Sequence, residues 1–444
     1  MPSSSECVGV ESPTGNSLTP AVYARQLLDS LGLQNVCPDA DDNRSSASLW
    51  ARSGAKWLSG HADGPPRACP APLAACAQGA WLALSALSPK KLDPLFEAYR
   101  LLGERAAILG LTRAGRISAG GACQLFDTSD GALALNLVRE DDRELLPAWL
   151  EEWAVEPEQL AAILRQRSTA TLVERARLLG LAAAPVLAPS PCSNWYRATR
   201  YAAPQYSTST APLVVDLSSL WAGPLCAQLL SQCGARVIKV EGVARPDGAR
   251  CGPEDFYHLL NAGKESIALD LRTPAGCGQL YRLLQKADIV IEASRPRALE
   301  QMGINAADLL ALRPGMVWLS ITGYGRDTPM RDWIAYGDDA GVAAGLSWLM
   351  GGDRGDPVFC GDAIADPLTG LHAALLAQAA WRNGGGQLLE LTLRDVVAHC
   401  ISSGSEPTHH TQLASEASKP VAREVSARAA GLGVDTARVL SEFA

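Results

Sequence analysis

Apolar positions along the chain follow two rhythms. From Leu49 to Val186 they recur at helical spacing, as in LDPLFEAYRLLGERAAILGL and PEQLAAILRQRSTATLVERARLLGL, which predicts amphipathic helices. Between these, GRISAGGACQLFDTSDGALALNLV holds two short alternating runs split by an SDG turn, the pattern of a hairpin. After Pro212 the rhythm changes to LVVDL, LCAQLLSQCG, ARVIKVE, SIALDL, AGCGQLYRLLQKA, DIVIEA and MVWLSITGYG. Strand alternating with helix implies βαβ units and a parallel sheet. The expected class is α/β: a doubly wound, Rossmann-like parallel sheet with an additional smaller mixed α+β domain.

The same pass divides the chain. Residues 1–47 read as a flexible N-terminal segment with one amphipathic piece at Ala21–Leu33, and 48–187 as a helical and mixed domain. The Pro/Ser/Ala-rich stretch 188–212 reads as a linker, 213–400 as the Rossmann-like domain, and 401–444 as a linker with a C-terminal helix. Ligands of such sheets sit beyond the carboxyl ends of the strands. One rim should therefore gather SSLWAGP (Ser218–Pro224), the residues from Glu241 onward, ASRP (Ala293–Pro296) and TGYG (Thr322–Gly325).

Composition narrows the chemistry. With 444 residues, 47% of them apolar, the chain can bury a sizeable core. A net charge of −8 without a long basic run argues against nucleic acid or an anionic membrane as partner. No window approaches the roughly 18 apolar residues of a spanning helix, and the amino terminus lacks a basic start and apolar core, so a cytoplasmic location is expected. Twelve cysteines in no CxxC spacing read as reduced and mostly buried, and six histidines, His409–His410 among them, form no ligand pattern, so no metal is expected. Leu213–Glu241 has the strand-turn-helix-strand order of a dinucleotide site but lacks GxGxxG, and Glu241 reads equally as a solvated acid ending a strand.

The richest local pattern is GDAIADPLTGLH (Gly361–His372), with aspartates at 362 and 366 ahead of an apolar helical run. Asp366 before Pro367 fits an N-cap with proline at the first helical position. A carboxylate there is also oriented by amide donors, which suits covalent work, and the two roles are compatible. An ungapped alignment of Ser53–Leu84 with Ala344–Leu375 matches Gly54, Trp57, Leu58, Gly60, Pro66, Cys69 and Gly79 to Gly345, Trp348, Leu349, Gly351, Pro357, Cys360 and Gly370. It sets Ala71 and Ala75 opposite Asp362 and Asp366, so two copies of one unit would carry the carboxylates only in the second.

The ordered run VVDLSSLWAGPLCAQLLSQCGARVIKVE, PDGAR, NAGKESIALDL, ADIVIEASRPRALEQMGI, TGYGRDTP and GDAIADPLTGLHAALLAQAAW resembles the family III CoA transferases, whose fold the α-methylacyl-CoA racemases share. The upstream GRISAGGACQLFDTSDGALALNL resembles that family's Gly-rich loop, which usually follows the aspartate motif, so the domain order looks permuted or rebuilt. The resemblance implies CoA transfer between an acyl-CoA thioester and a free carboxylic acid, with Asp366 as nucleophile forming an acyl-aspartyl anhydride and Asp362 as the local alternative. It implies CoA contacts at Trp221, Ala222, Asn261, Ala262, Gly263, Lys264, Ala293, Ser294, Arg295, Gln301, Thr322, Gly323 and Tyr324, with Lys264 pairing with a CoA phosphate and Arg250 and Arg295 making the rim locally basic. Backbone amides of Gly120 and Gly121 would serve a developing oxyanion. It implies no permanently bound cofactor, coenzyme A and acyl-CoA as substrates, and a homodimer. An acyl-CoA racemase or isomerase, with Asp338 or Asp339 as base, and a non-catalytic CoA-binding partner protein are the alternatives. At the racemase histidine position this chain has Tyr336–Gly337.

Overall fold

A computed structural model describes residues 18–38, 41–93, 96–352, 355–405 and 416–443. Residues 1–17 of the N-terminal segment, and His409–His410, lie outside them. Among the described residues, ten strands form two sheets. The smaller is antiparallel: β1 (Cys123–Asp127) and β2 (Ala132–Asn136) make the hairpin expected around SDG, and β3 (Ala182–Pro185) pairs with β2. Its outer face buries Leu133 and Leu135 with Trp149, Leu164, Leu172 and Val173 of the helices that follow in sequence.

The larger sheet contains β4 (Arg197–Arg200), β5 (Leu213–Asp216), β6 (Arg236–Gly242), β7 (Glu265–Leu269), β8 (Ile289–Glu292), β9 (Val317–Thr322) and β10 (Gln387–Thr392). Its order is β4-β10-β9-β8-β5-β6-β7, parallel throughout except for β4. The parallel strands are largely buried on both faces, as strands between helical layers must be, while the antiparallel edge strand β4 is exposed. Val214, Ile289, Ile291, Val317 and Leu319 enter one core, while Val215, Ile238, Val240, Val290 and Trp318 enter the other. The direction in which successive strands are added reverses between β5 and β8, which makes that crevice the topological switch point. The doubly wound sheet and the small mixed unit are those expected from the sequence.

Two connecting segments differ from the sequence reading. Within 188–212, read as a linker, β4 closes the β10 edge, because Arg197 pairs with Glu390 (2.8 Å) and Asp327 (2.7 Å) and Arg200 donates to the Gly385 carbonyl (3.0 Å). Within 1–47, read as flexible apart from an amphipathic piece at Ala21–Leu33, that piece is a docked helix, Pro20–Ser30, which buries Tyr23, Leu27 and Leu28; Thr19 caps it by accepting from the Val22 amide. At the other edge Asp435 and Thr436 accept from the Ser266 and Ala268 amides of β7, and the C-terminal helix Thr436–Glu442 buries Val439.

The internal similarity has a structural counterpart. Helices Pro20–Ser30 and Ser46–Arg52 and the left-handed Gly54 precede helix Leu73–Leu87, just as helices Ala222–Gln232 and Gly337–Ala343 and the left-handed Gly345 precede helix Ala365–Arg382. The contacts repeat too. A Cβ on Gly79 would meet Pro20 O at 2.7 Å and Tyr23 Cβ at 3.0 Å, while one on Gly370 would meet Ala222 O at 2.9 Å and Leu225 Cβ at 3.0 Å. The upstream unit thus repeats the helix arrangement of the second in abbreviated form, without strands corresponding to β5–β9 among the described residues.

Gly370 lets its helix lie directly on helix Ala222–Gln232. Gly370→Val, which drives a branched side chain into that contact, should lower unfolding free energy by about 1–3 kcal/mol. Urea denaturation beside Gly79→Val, at the equivalent contact, measures both.

Candidate active site

The Ala365–Arg382 helix begins earlier than the N-cap reading required. Ile364 occupies the cap position and provides no side-chain cap; the Asp366 amide already bonds the Ala363 carbonyl at 2.9 Å. Asp366 is therefore inside the first turn, not its cap. Asp366 is half-buried, and its carboxylate accepts from the backbone N–H of Ala222, at the head of the facing helix. Gly337 leaves room for this approach, since a Cβ there would stand 2.2 Å from Asp366 Oδ2.

Both turns that bring these helix ends together carry a non-glycine residue in the left-handed region: Leu220 at φ 70° and Ala363 at φ 43°. Such backbone persists only where surrounding contacts impose it, and it clusters at functional sites. Here carboxylates impose it, Asp247 accepting from the Leu220 amide (2.9 Å) and Asp338 from the Ala363 amide (2.8 Å).

Three carboxylates, Asp338, Asp362 and Asp366, thus crowd together, and a single guanidinium answers them among the described residues. Arg105, on the upstream helix Glu104–Leu109, forks onto fully buried Asp362 (Nε–Oδ2 2.8 Å, Nη2–Oδ1 2.5 Å) and lies over the Trp221 ring at 5.3 Å. The Gly-rich loop arrives beside it, with the Cβ position of Gly120 3.1 Å from the Arg105 guanidinium and the Ser118 hydroxyl bonding Asp338. Burial pushes the Asp366 carboxyl up to about 7, Arg105 opposing and Asp338 and Asp362 adding to the rise. Burial and Asp362 push Asp338 up to about 6. At neutral pH the cluster holds a proton in play, the usual result of like charges sharing a site.

The expected CoA residues divide into three groups. Trp221 and Ala222 after β5, and Ala293, Ser294 and Arg295 after β8, flank the switch point, with Ala293 lying against the first turn of the Ala222 helix. Gln301 is exposed at the end of helix Pro296–Gln301, and Thr322, Gly323 and Tyr324 follow β9. Gly323 abuts Ala335; the Tyr324 ring is buried, with Arg177 and Arg394 over it and Trp333 against its edge.

The Asn261 and Lys264 side chains face inward, against expectation, whereas Ala262 is half-buried and Gly263 is exposed. Lys264 Nζ is buried and donates to Asp216 (2.9 Å), the Pro224 carbonyl (2.9 Å) and Asn261 (3.1 Å), which uses all its protons and corrects its expected phosphate pairing. Burial pulls its ammonium down to about 8. Glu241 is likewise no solvated acid: it is buried and takes a two-pronged pair from Arg250, which removes that arginine from the rim. Cys360 is buried and its thiol pushed up, unlike an activated nucleophile.

The sequence reading missed a group of arginines. Burial, joined by the charges of Arg297, Arg139 and Arg245 around it, lowers the basicity of Arg295. Arg139 and Arg297 have acid partners in Asp142 and Asp332, but among the described residues no hydrogen bond or ion pair within 4 Å engages the guanidinium groups of Arg245 and Arg295, Asp332 acting on Arg295 only at longer range. No short motif marks the set, because its members come from separate segments. A cavity of about 660 Å³ opens elsewhere, lined by Val173, Arg177, Pro185 and Trp333, and none of the carboxylates faces it. Among the described residues no helix is long and apolar enough to cross a membrane, and no cluster of His, Cys, Asp or Glu could hold a metal ion.

Residues 212–429 match the family model described as CoA-transferase family III. Similar proteins include a succinate–glutarate CoA-transferase of Agrobacterium fabrum, 36% identical over 43% of this chain and 52% of its own. A human succinyl-CoA:glutarate CoA-transferase is 32% identical over 43% and 46%. Among solved structures, a CAIB/BAIF family protein from Brucella suis is 30% identical, covering 48% of this chain and 58% of its own, with a TM-score of 0.38. The chain spans about half the length of the curated relatives it matches.

A raised carboxyl opposes folding once it must ionise. The unfolded Asp366 releases its proton near pH 4, the folded one near 7, so this group lowers stability progressively as pH rises through that window. Asp366→Asn lacks the penalty. Its melting temperature relative to wild type should climb between about pH 4.5 and 7 and level off above; a difference flat with pH, by calorimetry, would contradict the assignment.

Proposed function

We propose, from the match of residues 212–429 to the CoA-transferase family III model, that the protein transfers coenzyme A between an acyl-CoA thioester and a free carboxylic acid, with Asp366 as the attacking carboxylate. The observation that carries this reading is Asp366 itself: half-buried, oriented by the Ala222 amide, and flanked by two strained turns and a guanidinium. An Asp366 oxygen attacks the thioester carbonyl, the C–S bond breaks, and CoA thiolate leaves an acyl-aspartyl anhydride. Attack of the thiolate on the aspartyl carbonyl frees the first acid and leaves an aspartyl thioester. The acceptor carboxylate displaces CoA from it, and the thiolate then takes the new acyl group, restoring Asp366. Covalent relay replaces one hard exchange by several easier ones. Gly120 and Gly121 amides are the donors proposed for the oxyanions.

Coenzyme A would enter at the switch point, passing Trp221–Ala222 and Ala293–Arg295, with Thr322–Tyr324 and Gln301 further along the rim. Arg295 and Arg245 take the phosphate role first expected of Lys264, while the buried Asn261 and Lys264 side chains support the floor from below and Ala262 and Gly263 keep their expected place beside CoA. Cytoplasmic placement and a homodimer belong to the same reading; light scattering of the purified chain tests the latter.

Hydroxylamine trapping with intact-mass spectrometry over a panel of acyl-CoAs tests the chemistry. Wild type and Asp362→Asn should yield a hydroxamate or adduct at residue 366, Asp366→Asn none. No adduct and no movement of CoA, with exchange of the substrate α-proton, would replace transfer by racemisation. Arg245→Gln and Arg295→Gln should each raise KM for the CoA ester by about five-fold at low salt and less at high salt, as screened charge contacts do.

A further inference from the structure

We propose that Arg105, supplied by the upstream half, is the positioning residue of the carboxylate site, holding Asp362 in place and keeping Asp366 available as an anion. The inference rests on the transferase reading and adds a residue that the local pattern around Asp366 does not contain.

The upstream copy has lost both partners of the Asp366 contact. Ala75 stands opposite Asp366, and Pro20, which has no N–H to give, stands opposite Ala222. Directly after that copy, helix Glu104–Leu109 turns its arginine across to the second copy instead. The helix is held from behind: Glu104 is buried, and Arg423 forks onto it at 2.6 and 2.7 Å. At the front, Trp221 lies beneath the guanidinium and Asp362 fixes its plane through two bonds.

Charge explains why this position matters. Among the described residues, the ionisable groups facing Asp366 are Asp338 from helix Gly337–Ala343, Asp362 from its own approach segment and Arg105; the Ala222 helix contributes an amide and the Trp221 ring. Without Arg105, Asp362 becomes a buried, unpaired anion, and Asp338 and Asp366 face it with no opposing charge. Ionising Asp366 then requires a higher pH, and a protonated carboxyl cannot attack a thioester.

Arg105→Gln and Arg105→Lys test this beside wild type. In Arg105→Gln the pH at which adduct formation reaches half its maximum should rise by about one unit or more. Its rate at pH 7 should fall at least about ten-fold, recover in part by about pH 9, and leave KM for the CoA ester within about two-fold. Arg105→Lys should restore most of the pH 7 rate. An unchanged pH midpoint, with rate loss that tracks the folded fraction by circular dichroism, would overturn the proposal. A readout independent of turnover separates it from the transferase reading: the pH dependence of the melting-temperature change that Asp366→Asn produces. That transition should move to higher pH when Arg105→Gln is added, even if no acyl-CoA reacts, and its failure to move would also overturn the proposal.

Discussion

The site depends on how closely two helices approach at Gly370. Residues four apart on a helix share a face, so the face that presents Gly370 to helix Ala222–Gln232 also presents Asp366 to that helix one turn earlier. Because Gly370 has no side chain, the helices meet with Ala222 O and Leu225 near van der Waals contact, and Asp366 comes within reach of the first free amide of the facing helix. The aspartate-to-glycine spacing is thus a packing requirement. A larger residue at 370 would separate the helices and withdraw the donor from the carboxylate.

The upstream copy shows the packing and the chemistry coming apart. Gly79 keeps the same approach to helix Pro20–Ser30, with nearly the same distances, yet neither a carboxylate nor an amide donor remains. Close helix contact is needed for the core, while the acid and its donor are needed only where a reaction occurs. Losing them also removes the reason for strain: Leu220 and Ala363 are left-handed, whereas the positions that match them upstream, Leu18 and Pro72, are not among the positive-φ residues. Backbone strain follows the carboxylates, not the fold.

The sheet was legible in the sequence because parallel strands buried on both faces must be apolar runs, and LVVDL, ARVIKVE, DIVIEA and MVWLSIT are such runs. The rim was legible through connectivity, since every β-to-helix turn of a doubly wound sheet opens on the same side. Legibility ended where charge met burial. Lys264 and Glu241 look like surface residues in a string of letters, but each is buried against a partner, Asp216 and Arg250, that no local pattern assigns to it. The β4 strand was hidden for a related reason: RATR is polar, and it pairs because Glu390 and the Gly385 carbonyl satisfy its arginines, not because it buries apolar surface.

Arg105 was the least legible of all. It sits in LLGERAAIL, where its spacing marks an ordinary amphipathic helix, and its partner Asp362 lies more than half the chain away. No periodicity could join them. What joins them is the cost of burying Asp362: a carboxylate with no exposure must be paired, and the pairing cation has to come from whatever packs over it. In this chain that cover is the upstream unit. The upstream half, whose abbreviated copy lacks the acid and the donor of the second, therefore has an electrostatic reason to remain: the helix that follows that copy provides the cation that lets three carboxylates share a site, and that requirement ties the two halves of the chain together.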